Sequence, residues 1–155
     1  MASITSLLSA EDKKVTAEAL QGALVDLLDL SLLGKQAHWN IIGRSFRSLH
    51  LQLDEIVSLA RDSADSVAER AIAIGVNPDG RARTLAEHTH LHQLDPGYIE
   101  DGKVIAAMTD ILETMVRHMR ERIEATEKSD LVTQDLLIGI TRELEKQHWM
   151  IQAQR

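Results

Sequence analysis

Apolar residues recur at spacings of three and four along most of this 155-residue chain, the signature of amphipathic helices. Ser9, with Asp12 three residues on, reads as a helix start. From there Leu20, Leu24, Leu27, Ser31 and His38 fall on one face, predicting a helix to about Trp39. Asn40 to Gly43 is a break signal. A second helix is predicted from about Ser45 to Ile74, its seam being Leu49, Leu53, Ile56, Ala60, Ala64, Val67 and Ala71. A third runs from about Glu100 to Glu127, with Val104, Met108, Ile111, Met115 and Met119 on one side. Ser129 or Asp130 can cap a fourth, which runs to about Ala153 through Leu136, Ile140, Leu144 and His148.

Loop lengths convert these helices into a topology. The first and second are joined by about four residues, as are the third and fourth, and short connections make antiparallel neighbours. Between the second and third lie residues 75–97, with both prolines, three glycines and a possible short helix at Thr84 to His88. A helix of about 28 residues is about 42 Å long. Twenty-three residues reach up to about 75 Å when extended, enough to cross the bundle lengthwise. The expected fold is all-α: a ferritin-like four-helix bundle with a long crossover between the second and third helices. One domain is expected over residues 1–155, with residues 1–9 as a short tail.

Beside the seam of the second helix runs a polar stripe: His50, Asp54, Asp65 and Glu69. At about 100° per residue these sit at roughly 0°, 40°, 60° and 100°, so they share a face. They do not share a place, since Asp54 and Asp65 are about 16 Å apart along the axis and a metal–ligand bond is about 2 Å. His50/Asp54 and Asp65/Glu69 therefore cannot hold one ion within one chain. Either there are two poor half-sites, or two copies of the helix meet antiparallel and pair opposite ends, at a subunit interface. His38, on the apolar face of the first helix, needs a polar partner. Imidazole with carboxylates and open positions suits Fe(II), with Zn, Mn or Co allowed by ligand type. The competing reading is a solvated acidic face, or acids paired with Arg47 and Arg61, which lie at roughly 60° and 20°.

Composition narrows the classes. The chain has no cysteine, which excludes disulfides and Cys-ligated zinc or iron–sulfur sites. The start lacks the basic and apolar pattern of a signal peptide, and no apolar run is long enough for a membrane span, so a cytoplasmic protein with no membrane partner is expected. The formal charge of −7 favours cations and opposes nucleic acid.

The stretch Lys35-Gln-Ala-His38-Trp39-Asn40-Ile-Ile-Gly43-Arg-Ser-Phe46-Arg-Ser-Leu49-His50, then Leu53-Asp54-Glu55 and Asp65-Ser-Val-Ala-Glu69-Arg70, resembles the ferroxidase signature of the Dps mini-ferritins, the DNA-binding proteins from starved cells. The spacings of 12, 4, 11 and 4 from His38 to Glu69 match at all five positions. The resemblance implies that His38, His50 and Asp54 come from one subunit, and Asp65 and Glu69 from its two-fold mate. It further implies a homo-oligomeric shell of twelve subunits. There Fe(II) is bound at two-fold interfaces, oxidised preferentially by hydrogen peroxide, and stored as ferric mineral. Trp39 is similar to a family tryptophan that quenches stray oxidising equivalents, and Asp130 and Asp135 resemble acids lining iron-entry pores. DNA binding is doubtful, because no Lys or Arg precedes Lys13 and Lys14.

Two further features carry weaker signals. Glu145-x-x-His148 is one copy of a motif that an intrachain di-iron bundle needs twice, so His148 is expected to be packed or at the surface. His88, His90 and His92 lie in the crossover; extended, all three point to one side, and in a helix only His88 and His92 do. The functional alternatives are a nucleoid-compacting DNA-binding protein with little ferroxidase role, and a metal-dependent hydrolase that activates water.

Overall fold

A computed structural model describes residues 4–155, so the first three residues of the expected tail lie outside the described residues. The elements are α1 (Ala10–Asn40), β1 (Ile41–Ile42), α2 (Phe46–Ala73), α3 (Ala82–His88), β2 (Ile99–Glu100), α4 (Asp101–Thr126) and α5 (Leu131–Gln152). Each long helix lies within a residue or two of its expected span. Ser9 caps α1: its hydroxyl accepts the Asp12 amide at 3.1 Å and donates to the Asp12 carboxylate at 2.7 Å. Asp130 caps α5, accepting the amides of Val132 and Thr133. The end of α2 closes as a Schellman turn, with Val76 N–H donating to Ala71 O and Gly75 N–H to Ile72 O. Gly75 has φ 74°, a backbone region that glycine enters freely.

α1 packs chiefly on α2 and α4 chiefly on α5. The chain crosses between the two hairpins through residues 74–100, the arrangement expected. Their shared interior is apolar: Leu27, Leu30, Leu53, Ile56, Met108, Met115, Met119 and Leu144 are all sealed from solvent. Each such side chain contributes about 1.5–3 kcal/mol by leaving water. All the expected seam positions of α2 and α4 are buried. On α5 the buried face runs through Leu137, Ile140, Leu144, Gln147 and Ile151, so it is rotated from the expected Leu136–His148 line.

Two features tie the ends of the bundle together. Ile41 and Ile42 pair in parallel with Ile99 and Glu100, a two-residue bridge that joins the α1–α2 turn to the end of the crossover. Beside it Asp101 accepts the Ser45 amide at 2.8 Å, and that hydrogen bond, first among several, holds its carboxyl below the usual carboxylate range. At mid-crossover, Thr89 and Gln93 donate to Asp29, a buried carboxylate on α1.

Candidate metal centre

The α1–α2 turn brings His38, from the last turns of α1, against His50, one turn into α2. The imidazoles stack with centroids 3.6 Å apart at 18°. Each ring reaches across to the other residue's backbone: His38 Nδ1 lies 2.8 Å from His50 O, and His50 Nδ1 lies 2.9 Å from His38 O. A carbonyl oxygen only accepts, so each Nδ1 must carry the proton. In the neutral ring this tautomer leaves Nε2 as the lone pair, the form in which histidine binds metal. The buried His38 thus finds the partner that its apolar setting requires. Phe46 stacks on the outer side of His50 at 5.0 Å, holding the ring from its far face.

Asp54 lies one turn beyond His50, its Oδ1 3.5 Å from His38 Nδ1. The Lys35 ammonium, one turn before His38, forms an ion pair with the same oxygen. This hydrogen bond is the chief reason that the Asp54 carboxyl lies below its ordinary range; desolvation opposes it. Lys35 is a functional candidate that the sequence reading did not single out, although its place three residues before His38 puts it on the same face.

Asp65 and Glu69 are not brought to this place. Both are exposed on α2, eleven and fifteen residues past Asp54, and neither has an ion-pair partner among the described residues. Asp65 borders a groove formed by Leu24, Leu28, Arg61, Pro78 and Gly80. Arg47 and Arg61 form no ion pair among the described residues, so they do not neutralise the stripe. Among the described residues of one chain, no three His, Asp or Glu side chains converge as a metal cage. His38, His50 and Asp54 thus lie near one another without forming a cage, and Asp65 and Glu69 lie further along α2.

The remaining candidates are placed as follows. Trp39 is 68% exposed, beside His38 on the helix surface. Asp130 is buried and already engaged: it caps α5, accepts the Thr133 hydroxyl and pairs with Arg70 at 2.5 Å. Burial raises its pKa, but these hydrogen bonds and the Arg70 charge outweigh it, and the net shift is downward. Asp135 is exposed. Glu145 pairs at the surface with Arg120 at 2.5 Å, while His148 is half-buried, with its Nε2 sealed and unpartnered among the described residues. Neither geometry foreseen for the crossover histidines occurs: α3 ends at His88, His88 and His90 border one cavity, and His92 borders another.

Comparison with known proteins places this arrangement. The ferritin-like domain matches residues 17–155. DNA protection during starvation protein 2 of Deinococcus radiodurans is 36% identical over 92% of this chain, and the DNA protection during starvation protein of Mycolicibacterium smegmatis is 36% identical over 92%. The chain belongs to the ferritin-like family, in its DNA-protection-during-starvation (Dps) branch. It spans 59% of the length of the Deinococcus relative and 79% of the mycobacterial one. A solved Mycobacterium smegmatis Dps superposes with a TM-score of 0.93 at 34% identity, covering 99% of this chain and 94% of that one. The Dps of Microbacterium arborescens, solved in a high-iron form, gives 0.91 at 31% identity, covering 97% of each chain. The Dps fold is therefore shared from α1 to α5. No helix of the described residues is long and apolar enough to cross a membrane.

Proposed function

We propose that this Dps-type chain is a ferroxidase, serving iron storage and peroxide protection. It takes Fe(II) as substrate at sites shared between two subunits. His38, His50 and Asp54 of one subunit bind it together with Asp65 and Glu69 of a two-fold mate. The observation that carries this reading is the reciprocal His38–His50 hydrogen bonding through Nδ1, which leaves both Nε2 atoms uncommitted, with Asp54 one turn away while the other two acids stand apart and unpaired. Antiparallel pairing of two α2 helices would bring each half to the other, giving two equivalent sites per interface. The solved high-iron form of the Microbacterium arborescens relative fits iron as the metal.

Asp54, Asp65 and Glu69 supply the negative charge that stabilises the ferric product over the ferrous substrate. The reaction balances when two Fe(II) each lose one electron and hydrogen peroxide takes both. With two protons taken up from solvent, the O–O bond then breaks to give two water molecules, and no hydroxyl radical is released. Trp39, beside His38, is placed to reduce an oxidising equivalent that escapes. Closed assembly into a shell of twelve would enclose the ferric product. Of the two acids assigned to an entry pore, Asp135 is the one free to meet passing cations, because Asp130 is engaged by Arg70.

The test is anaerobic addition of Fe(II) to metal-free protein, followed by peroxide, reading Fe(III) absorbance and peroxide loss together. The expected stoichiometry is two Fe(II) per peroxide, with no hydroxyl radical trapped. Oxidation no faster than that of free Fe(II) would refute the assignment.

A further inference from the structure

The turn that stacks His38 on His50 is held from outside its own hairpin. Among the described residues, Ser45 gives α2 no side-chain cap, and the first turn of α2 carries no acid. Arg44 and Arg47 instead set two positive charges beside the positive end of the helix dipole. The missing group comes from α4. Asp101 Oδ2 accepts the Ser45 amide at 2.8 Å. That bond is the first reason that the Asp101 carboxyl is held low against desolvation, and the Gly102 amide, the Ser45 hydroxyl and the Arg44 amide add to it. A carboxylate 56 positions away thus does for α2 what a local cap does for most helices.

The fit is close. Gly43 turns with φ 129°, and a Cβ placed on it would lie 2.5 and 2.7 Å from the two Asp101 oxygens. Only glycine lets the carboxylate come so near this turn. Alongside, Ile41 and Ile42 pair with Ile99 and Glu100, the residues just before Asp101. Both ties bear on the imidazoles. His38 lies three residues before the paired Ile41, and Phe46, whose ring stacks on His50 at 5.0 Å, directly follows Ser45. An uncapped first turn frays. Fraying here would move Phe46 and then His50, and the reciprocal Nδ1 hydrogen bonds depend on where His50 stands.

We propose that Asp101 is a positioning residue of the metal centre. By capping α2 from α4, it holds His50 where its imidazole and that of His38 donate to each other's carbonyls and leave both Nε2 atoms uncommitted. This role rests on the ferroxidase reading for its purpose, but the geometry is a property of the metal-free protein.

Histidine-selective nitrogen NMR of the assembled, metal-free protein tests it, at mildly alkaline pH where the rings are neutral. His38→Gln and His50→Gln assign the two signals. Wild type should show both rings locked with the proton on Nδ1, and Asp101→Ala should let both exchange between tautomers as a solvent histidine does. Co(II) affinity should fall about tenfold, the scale seen when a partner that orients a metal ligand is removed. Asp101→Asn keeps an oxygen for the Ser45 amide and loses the charge. It should give a smaller change of the same kind, and it replaces the alanine variant should that fail to assemble. The decisive substitution is Ser48→Glu. Position 48 lies three residues after Ser45, where a glutamate reaches back to the same amide and adds the missing negative charge. Placed in either Asp101 variant, it should restore the locked tautomers and most of the Co(II) affinity, although it rebuilds no contact with α4. Rings that stay locked without the Asp101 carboxylate overturn the proposal, and so does a loss that Ser48→Glu leaves unrepaired. A wild-type protein that neither binds Co(II) nor oxidises Fe(II) would sink the ferroxidase reading alone, since the tautomer signals are read without metal and still decide what Asp101 does.

Discussion

At the scale of single residues, helical spacing anticipated that His38, His50 and Asp54 lie close together, but not how the two imidazoles are hydrogen-bonded. Helical geometry alone places His38, Lys35, His50 and Asp54 on facing surfaces of α1 and α2. Nothing in the sequence says that each imidazole will donate to the other's carbonyl, because that depends on the angle of the turn between them. Nor does it tell which cation meets Asp54: Arg47 and Arg61 were equally eligible, and Lys35 forms the pair. That pair makes a prediction. An incoming metal ion must displace the Lys35 ammonium from Asp54. Because Asp54 is half-exposed, solvent screens this pair and the barrier it sets is small. Lys35→Met should therefore raise the affinity of the metal-free protein for Co(II) modestly, read from the cobalt d–d absorbance. A fall in affinity would instead mean that Lys35 holds Asp54 in its binding position.

At the scale of elements, the caps and apolar periods were legible because they are local. Ser9 and Asp130 act where their side chains suit a helix start, and the long helices end where the apolar period does. The β1–β2 bridge was not legible, since two paired residues carry no period. Nor were the buried acids Asp26 and Asp29, which are covered by α4 and the crossover, elements distant in sequence. The expected line through His148 was rotated because Gln147 faces the core instead. A tie between elements yields a further prediction. Asp130 joins α5 to Arg70 of α2, and its carboxyl is held below the usual range. A depressed folded-state pKa means that the stabilisation is fully present above the unfolded value, about 3.9, and is lost as pH falls through the folded value. Asp130→Asn keeps a capping oxygen but removes the charge. It should lower the denaturation midpoint at pH 7, and the gap from wild type should close in acid below the ordinary carboxylate range. A gap that persists unchanged in acid would mean that the charge on Asp130 contributes nothing.

At the scale of the whole molecule, net charge and assembly decide what one chain cannot. The described tail, residues 4–9, has no cation, and Lys13 reaches back to the Gly75 turn at the negative end of α2. With −7 on each chain, little counterion release is available to drive DNA association. Duplex DNA should not shift in a gel at near-physiological salt and neutral pH in chelator, and tight binding there would reveal a basic patch made only by assembly. The split ligand set gives the sharper test. Asp54→Ala and Glu69→Ala remove groups fifteen residues apart along one helix, yet each should abolish fast Fe(II) oxidation in its own homogeneous assembly. When the two variants are dissociated, mixed and reassembled, an interface joining unlike chains contains one site with both defects and one with neither. With random mixing of equal amounts about half of the interfaces are of this kind, so about a quarter of all sites should be intact. Activity near a quarter of that of identically treated wild type is therefore expected, with light scattering confirming reassembly. Mixed assemblies that reform but stay inactive would place all five ligands' work within single chains, against the 16 Å that the helix rise sets between Asp54 and Asp65, at about 1.5 Å per residue.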